Sequence, residues 1–520
     1  MTDPASESTV RYGPPVAPWP IAAAAGVLAA GVALAATELL AGLVAGAPSV
    51  IVEIGALVIS LQPGGAKQIV VDLFGTADKL ALNIAVAIGA LVLAGALGVI
   101  ARRHRGWGNL GFAAIAILGL GASLRDPLVD PILALVAAVV GVAIATQVLR
   151  RLLDAVTPSG LAEMPDWGRR RFIGTSLAVA AGAIVGGGIG RLLIDQRDAV
   201  ATATADIPLA VDPVAPLQAG AKLAVAGISP LVTSNSTFYR IDTSLLTPRL
   251  DVTSWKLSVD GMVDHPFSIN YAELLAMPMH EEYVTIACVS NEVGGNLVGN
   301  ALWRGARLRD LLDRAGVQAG ATQIVPESFD GWTAGFPTAW LDKADREALV
   351  AVAMNGVQLP NQHGYPARLI VPGLYGYVSA TKWLTHIKLT TLEAQDAYWV
   401  PLGWAKEAPI LTQSRIDVPQ DGGTVSAGPA PIAGVAWAPD RGVSRVEVQV
   451  DNGAWTDATL STPISPATWV QWLYRWQATS GDHLIRVRAT DLTGEVQPAT
   501  VTPPAPDGAR GYHTIQVGVS

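Results

Sequence analysis

Apolar positions run almost without interruption through the first 200 residues, gathering into five stretches near 18–45, 80–101, 107–124, 131–149 and 172–194. Crossing roughly 30 Å of hydrocarbon takes about 20 apolar residues, so each stretch predicts a spanning helix. Residues 49–75, between the first two, are broken by Pro63, Gly64 and Gly65 and read as re-entrant or interfacial. Arg102, Arg103, His104 and Arg105 follow the second stretch, and Arg150, Arg151, Arg169, Arg170 and Arg171 lie between the fourth and fifth. Basic loops stay cytoplasmic, which predicts five crossings, an inside amino terminus and everything after about residue 195 outside.

Beyond the fifth stretch the pattern changes twice. Residues 200–235 are rich in Ala, Pro, Asp, Thr and Ser with little periodicity and read as a linker. Residues 236–410 mix short apolar runs (WKLSVDG, YVTIACV, ARLIVPG, WLTHIKLT) with helical stretches such as ARLRDLLDRAG and 271–277, an α+β pattern. Residues 411–520 alternate apolar and polar positions, as in VSRVEVQVDNGAWTDATL, where Asn452-Gly453 marks a hairpin turn. The expected architecture is multidomain: a helical membrane domain at 1–199, the linker, an α+β domain and an all-β sandwich.

Composition sharpens this. Only 15% of residues are charged, against roughly 25% in soluble domains. A net charge of −8 leaves no basic excess for a phosphate backbone, so nucleic acid is excluded as a partner and membrane lipid is expected. One cysteine, Cys288, excludes disulfides within the chain and multi-cysteine metal sites. None of the seven histidines lies in an apolar stretch, so a membrane haem on two imidazoles is not expected from this chain. Glu38 and Glu53 sit in or beside apolar runs and are expected at the outer interface; a transport function would instead use them in the membrane. Gly182, Gly186 and Gly190 repeat every four residues and predict a helix-packing face.

Four segments carry a family resemblance. Cys288-Val289-Ser290-Asn291, running on to Trp303-Arg304-Gly305, is similar to the cofactor-cysteine region of the sulfite oxidase family of molybdenum enzymes. Met354-Asn355-Gly356 with His363-Gly364-Tyr365-Pro366-Ala367-Arg368, then Val371-Pro372-Gly373 through Thr381-Lys382-Trp383, resemble its pterin-contacting stretches in the same order. Gly434-Val435-Ala436-Trp437 and Ala489-Thr490-Asp491 resemble its immunoglobulin-like dimerisation domain. The approach to the fifth span, Arg169-Arg170-Arg171-Phe172, resembles a twin-arginine export signal.

The resemblance implies a molybdopterin-dependent oxidoreductase in which Cys288 is the single thiolate ligand of molybdenum. It implies that Arg368, Lys382, Ser379 and Thr381 meet the pterin phosphate, that His363 donates to pterin or phosphate, and that Tyr239, Arg240, Asn291 and Ser328 add further contacts. A homodimer and a separate electron partner, a cytochrome or a quinone-linked protein, are implied with it. The sequence departs from sulfite-oxidising members where Asn291 is followed by Glu292 and Val293 rather than arginines, and in Phe238-Tyr239-Arg240-Ile241-Asp242, whose arginine stands one place early. A less cationic pocket points to a small neutral or organic substrate. A surface binding or adhesion protein retaining the fold without catalysis is the competing expectation.

Overall fold

Each apolar run of the amino-terminal region folds as one helix. The helices are α1 (Trp19–Leu43), α2 (Val50–Leu61), α3 (Asp78–Ala101), α4 (Arg105–Ser123), α5 (Pro131–Val156) and α6 (Pro165–Val200). The computed structural model describes residues 16–61, 78–156, 165–200, 206–343 and 347–520. It divides into two units, Met1–Ala201 with Ser244–Leu246, and Thr202–Thr243 with Thr247–Ser520.

Among the described residues, five helices are long and apolar enough to cross a membrane: Trp19–Leu43, Lys79–Ala101, Arg105–Ser123, Pro131–Val156 and Phe172–Ile194. The 12 residues of α2 extend only about 18 Å and fall short. The rest of the stretch expected as re-entrant, residues 62–77, lies outside the described residues.

Small residues decide how these helices meet. A Cβ on Gly26 would overlap the Ala94 carbonyl, and one on Gly98 the Ala22 carbonyl, so α1 and α3 touch backbone to backbone. Likewise a Cβ on Gly190 would sit 2.6 Å from the Glu38 carbonyl of α1. Gly182 and Gly186 have nothing within 4 Å, whereas Gly187 faces Ala35. The packing face of α6 is therefore Gly187 and Gly190 rather than the expected three-glycine stripe. Glu38 and Glu53 are each 6% exposed, closed in by the bundle rather than displayed at its rim. Ser49 Oγ donates to Glu38 Oε1 at 2.6 Å.

The second unit begins earlier than the linker expectation allows. Residues 206–235 form an extended strap: Val211 N–H donates to the Met279 carbonyl and Thr233 N–H to the Asn300 carbonyl, while Leu231 is buried in the core. A low-periodicity stretch looked unattached because its bonds go to residues far along the chain.

Among the described residues, the α+β region forms two five-stranded sheets. In one, Met279–Ala287 pairs antiparallel with Val298–Arg307, which pairs with Leu349–Met354. Arg368–Ile370 joins the far side of Leu349–Met354. In the other, Lys256–Gly261 runs parallel to Leu384–Thr390, which also pairs with Gln323–Ser328. Their cores include Leu257, Leu308, Leu349 and Ile387, all fully buried. The helix Leu308–Ala315 stops at Gly316, whose φ of 67° supplies the left-handed turn that ends it.

The carboxy-terminal region is all-β, with a four-stranded sheet containing Gln413–Val418, Gly428–Trp437 and Val470–Ala478 and a five-stranded sheet containing Val443–Val450, Gly481–Asp491 and His513–Val519. Ile432, Trp472, Val446 and Ile485 are fully buried in its core. The expected hairpin forms, but its left-handed residue is Asp451, with φ of 54°, one place before Asn452.

Candidate active site

Cys288 follows the strand Met279–Ala287 directly and is 8% exposed. Its N–H donates to the Leu297 carbonyl at 2.9 Å, closing a turn over residues 288–297. Within the turn Asn291 N–H donates to the Cys288 carbonyl at 3.0 Å, and Asn291 Oδ1 accepts from Leu297 N–H at 2.8 Å. Asn291 thus spends its side chain on the shape of the turn.

Two phenols interact electrostatically with Cys288. Burial raises the pKa of Tyr239 and of Tyr375 well above the usual range, and the charge of Cys288 adds to both. The Tyr239 hydroxyl would lie 3.6 Å from a Cβ on Gly376, and Tyr239 stacks on Phe238 at 5.3 Å. Tyr375 was not singled out in the sequence, although it stands in the quoted stretch from Val371 through Trp383.

A second group gathers around His363. Gly364 has φ of 113°, and a Cβ there would sit 3.0 Å from Lys382 Cα and 3.1 Å from Arg368 Cβ. Only glycine lets these segments close together. His363 is fully buried, its Nε2 2.7 Å from the Asn235 carbonyl. A carbonyl only accepts, so Nε2 carries the proton. Burial, and then Arg368, Lys382 and Arg240, push the pKa of His363 down to about 3. The ring is neutral and its Nδ1, which has no hydrogen-bond partner, is an acceptor. The expected donor role is thereby corrected.

Arg368 is 5% exposed, with Nη1 donating to the His363 carbonyl at 3.0 Å, Nη2 to the Ala380 carbonyl at 3.4 Å, and the guanidinium 4.9 Å from the Trp303 ring centroid. Its Nε has no partner, and burial draws its pKa down to about 10, so it stays charged near neutrality. The fork expected to face a phosphate is therefore partly used on backbone. Lys382 Nζ donates to Asp242 Oδ2 at 2.8 Å and the Gln362 carbonyl at 3.1 Å. Thr381 is fully buried with its Oγ1 unsatisfied. Ser379 Oγ donates to the Leu374 and Tyr375 carbonyls, a local role. Ser328 is 3% exposed on the neighbouring sheet, and Arg240 is exposed, with Nη2 3.2 Å from Thr247 Oγ1. Asn235, Asp242 and Trp303 complete the group; Asn235 was not anticipated, and Asp242 and Trp303 stood in quoted stretches without an assigned role.

The family described as "Oxidoreductase molybdopterin binding domain" matches residues 244–399. The chain is 35% identical over 154 residues to the "Uncharacterized oxidoreductase YuiH" of Bacillus subtilis (strain 168), covering 30% of this chain and 74% of that protein. The chain belongs to the sulfite oxidase family of molybdopterin-dependent oxidoreductases. Within this family it is also 30% identical over 321 residues to the mitochondrial sulfite oxidase of Mus musculus, covering 52% of this chain and 58% of that one. The chain thus spans about 58% of the length of that relative. Among solved structures, the sulfane dehydrogenase SoxCD from Paracoccus pantotrophus is 22% identical, with a TM-score of 0.48, over 55% of this chain and 81% of that one.

The family's cofactor is molybdenum carried by molybdopterin. The residues present fit such a group. An isolated buried polar atom without a partner costs about 1 to 3 kcal/mol, yet His363 Nδ1, Arg368 Nε and Thr381 Oγ1 are all left so within two neighbouring segments. An acceptor, a charged donor and a hydroxyl suit a hydrogen-bonding ligand that carries phosphate.

Proposed function

We propose that this oxidoreductase is anchored by its helical unit, works outside the cytoplasm, and performs two-electron oxygen-atom transfer on a small neutral or organic substrate, which gives up two electrons as it gains an oxygen atom or takes two as it loses one. Cys288 would hold the molybdenum, which supplies the oxygen-atom transfer when bound. Arg368 Nε and Thr381 would donate to the pterin or its phosphate, His363 Nδ1 would accept from the pterin, and Lys382, Ser379, Ser328, Asn291 and Arg240 would shape the surroundings. Tyr239 and Tyr375 keep their protons and are hydrogen-bond donors for a substrate oxygen. Electrons pass to or from a separate cytochrome or quinone-linked partner, and the carboxy-terminal sandwich is an immunoglobulin-like dimerisation domain.

The observation that carries the substrate class is the charge balance near Cys288. The turn contributes Asn291, Glu292 and Val293 and no cation. Arg368 is engaged by two carbonyls, and Lys382 is neutralised by Asp242. A small dianion needs charge-assisted donors to offset its desolvation, and each absent one costs roughly 1.5 to 3 kcal/mol.

The test is metal analysis of the purified protein, followed by assays with sulfite and with a panel of S- and N-oxides using redox dyes. About one molybdenum per chain, weak sulfite turnover and faster turnover of an organic oxide are expected. Cys288→Ser should remain folded but lose turnover and change the metal's absorption, because a hydroxyl is a poorer donor than a thiolate. Efficient sulfite oxidation would overturn the substrate class, and an active Cys288→Ser variant the ligand.

A further inference from the structure

The turn bearing Cys288 is gripped from outside its own sheet. Gly294 has φ of 78°, and a Cβ there would overlap the edge of the His513 ring, with His513 Cγ 3.0 Å away. His513 opens the last strand of the carboxy-terminal sandwich. Its Nδ1 accepts from Ile416 N–H at 2.9 Å, so the proton of the neutral ring is on Nε2, at the edge laid against Gly294. Burial and the neighbouring Arg415 lower the pKa of this imidazole, which keeps it neutral.

The next residue is held as firmly. Arg415 Nη1 donates to the Gly295 carbonyl at 2.7 Å. Arg415 is itself fixed, 9% exposed, with Nε on Asp417 Oδ1 at 2.7 Å and Nη2 on Ser229 Oγ at 2.7 Å. A buried guanidinium balanced by a carboxylate leaves little freedom to the carbonyl it binds. From Gly295 the connection to the sulfur is short. Gly295 N–H donates to the Glu292 carbonyl at 2.9 Å, and Asn291 N–H to the carbonyl of Cys288.

We propose that His513 and Arg415 are positioning residues for the redox centre: steric contact at Gly294 and a charged hydrogen bond at Gly295 let the carboxy-terminal sandwich set the direction of the Cys288 sulfur. This rests on Cys288 being the metal ligand. It goes beyond that reading by giving the sandwich a part in the active site that is separate from any role in dimerisation. A misplacement of about 1 Å near reacting atoms costs on the order of a hundredfold in rate, so a loose turn matters even when nothing else moves.

The experiment uses the full-length protein, with and without its cofactor. Arg415→Ala and His513→Ala should retain molybdenum and secondary structure while shifting the metal–thiolate absorption and lowering kcat by roughly tenfold to a hundredfold, with KM little changed. In cofactor-free protein, both should speed the reaction of Cys288 with a thiol-reactive dye several-fold. Arg415→Lys should recover part of each effect. Gly294→Ala should lower the thermal midpoint more in the wild-type background than in His513→Ala, because the ring it strikes is then gone.

Wild-type absorption, kcat and thiol reactivity in both alanine variants would overturn the proposal, as would equal effects of Gly294→Ala in both backgrounds. If an alanine variant does not fold, Arg415→Lys and His513→Gln decide by the same readouts, a shifted absorption supporting the proposal and a wild-type one overturning it. Loss of the parent reading would register separately, as wild-type protein without molybdenum or an unchanged spectrum in Cys288→Ser.

Discussion

At the scale of single residues, His363 links burial to pH. An ordinary imidazole titrates near 6.5, whereas burial and the three neighbouring cations hold this one at about 3. Between those values the unfolded chain takes up a proton that the folded chain refuses. The contribution of His363 to stability is therefore complete above about pH 6.5 and declines as pH falls toward 3. The lowered pKa of His513 acts in the same direction. Thermal midpoints measured from pH 8 to pH 4 should fall more steeply for wild type than for His363→Gln; parallel curves would remove His363 as the cause. What was legible at this scale follows a physical line. Cys288, Arg368, Thr381 and Lys382 sit in short contiguous motifs, and a linear sequence displays such motifs. The tautomer of His363 depends on a carbonyl 128 residues away, and the neutralisation of Lys382 on a carboxylate 140 residues away. Neither pairing leaves a local trace.

At the scale of elements, apolar length located each described helix long and apolar enough to span a membrane, because hydrocarbon thickness is a constraint on length alone. The faces through which helices pack were harder. A repeat of four residues marks Gly182, Gly186 and Gly190 equally, yet only the last meets a neighbour, and Gly187 lies outside the repeat. Replacing Gly190 by Leu should force α1 and α6 apart, costing about 1 to 3 kcal/mol and lowering the thermal midpoint of the detergent-solubilised protein. Gly182→Leu and Gly186→Leu should leave it unchanged. Equal losses in all three variants would show that helix length, and not backbone contact, dominates. The strap at 206–235 failed to register as structure for the opposite reason: it has little periodicity, and the bonds that hold it in place go largely to strands far along the chain.

At the scale of the whole molecule, the proposal of an outer catalytic domain makes Arg169 and Arg170 testable. If they form a twin-arginine signal, replacing both by Lys should leave residues 206–520 protected from protease added to intact cells, while the first four spans still insert. Full digestion in the double variant would reduce the pair to a determinant of orientation.

The strap also carries information about time. Leu223 N–H and the Ser229 carbonyl are bonded to Gln471, the Leu231 carbonyl to Trp469 Nε1, and Ser229 N–H to Asp417. The ribosome releases the strap well before any of these partners exists. Residues 223–231 must therefore wait for Asp417 and then for Trp469 and Gln471 to emerge, whereas Val211 and Thr233 can already bond to Met279 and Asn300. A chain truncated before Asp417 should expose residues 223–231 to proteases, and their closing would mark the moment at which newly made enzyme becomes resistant.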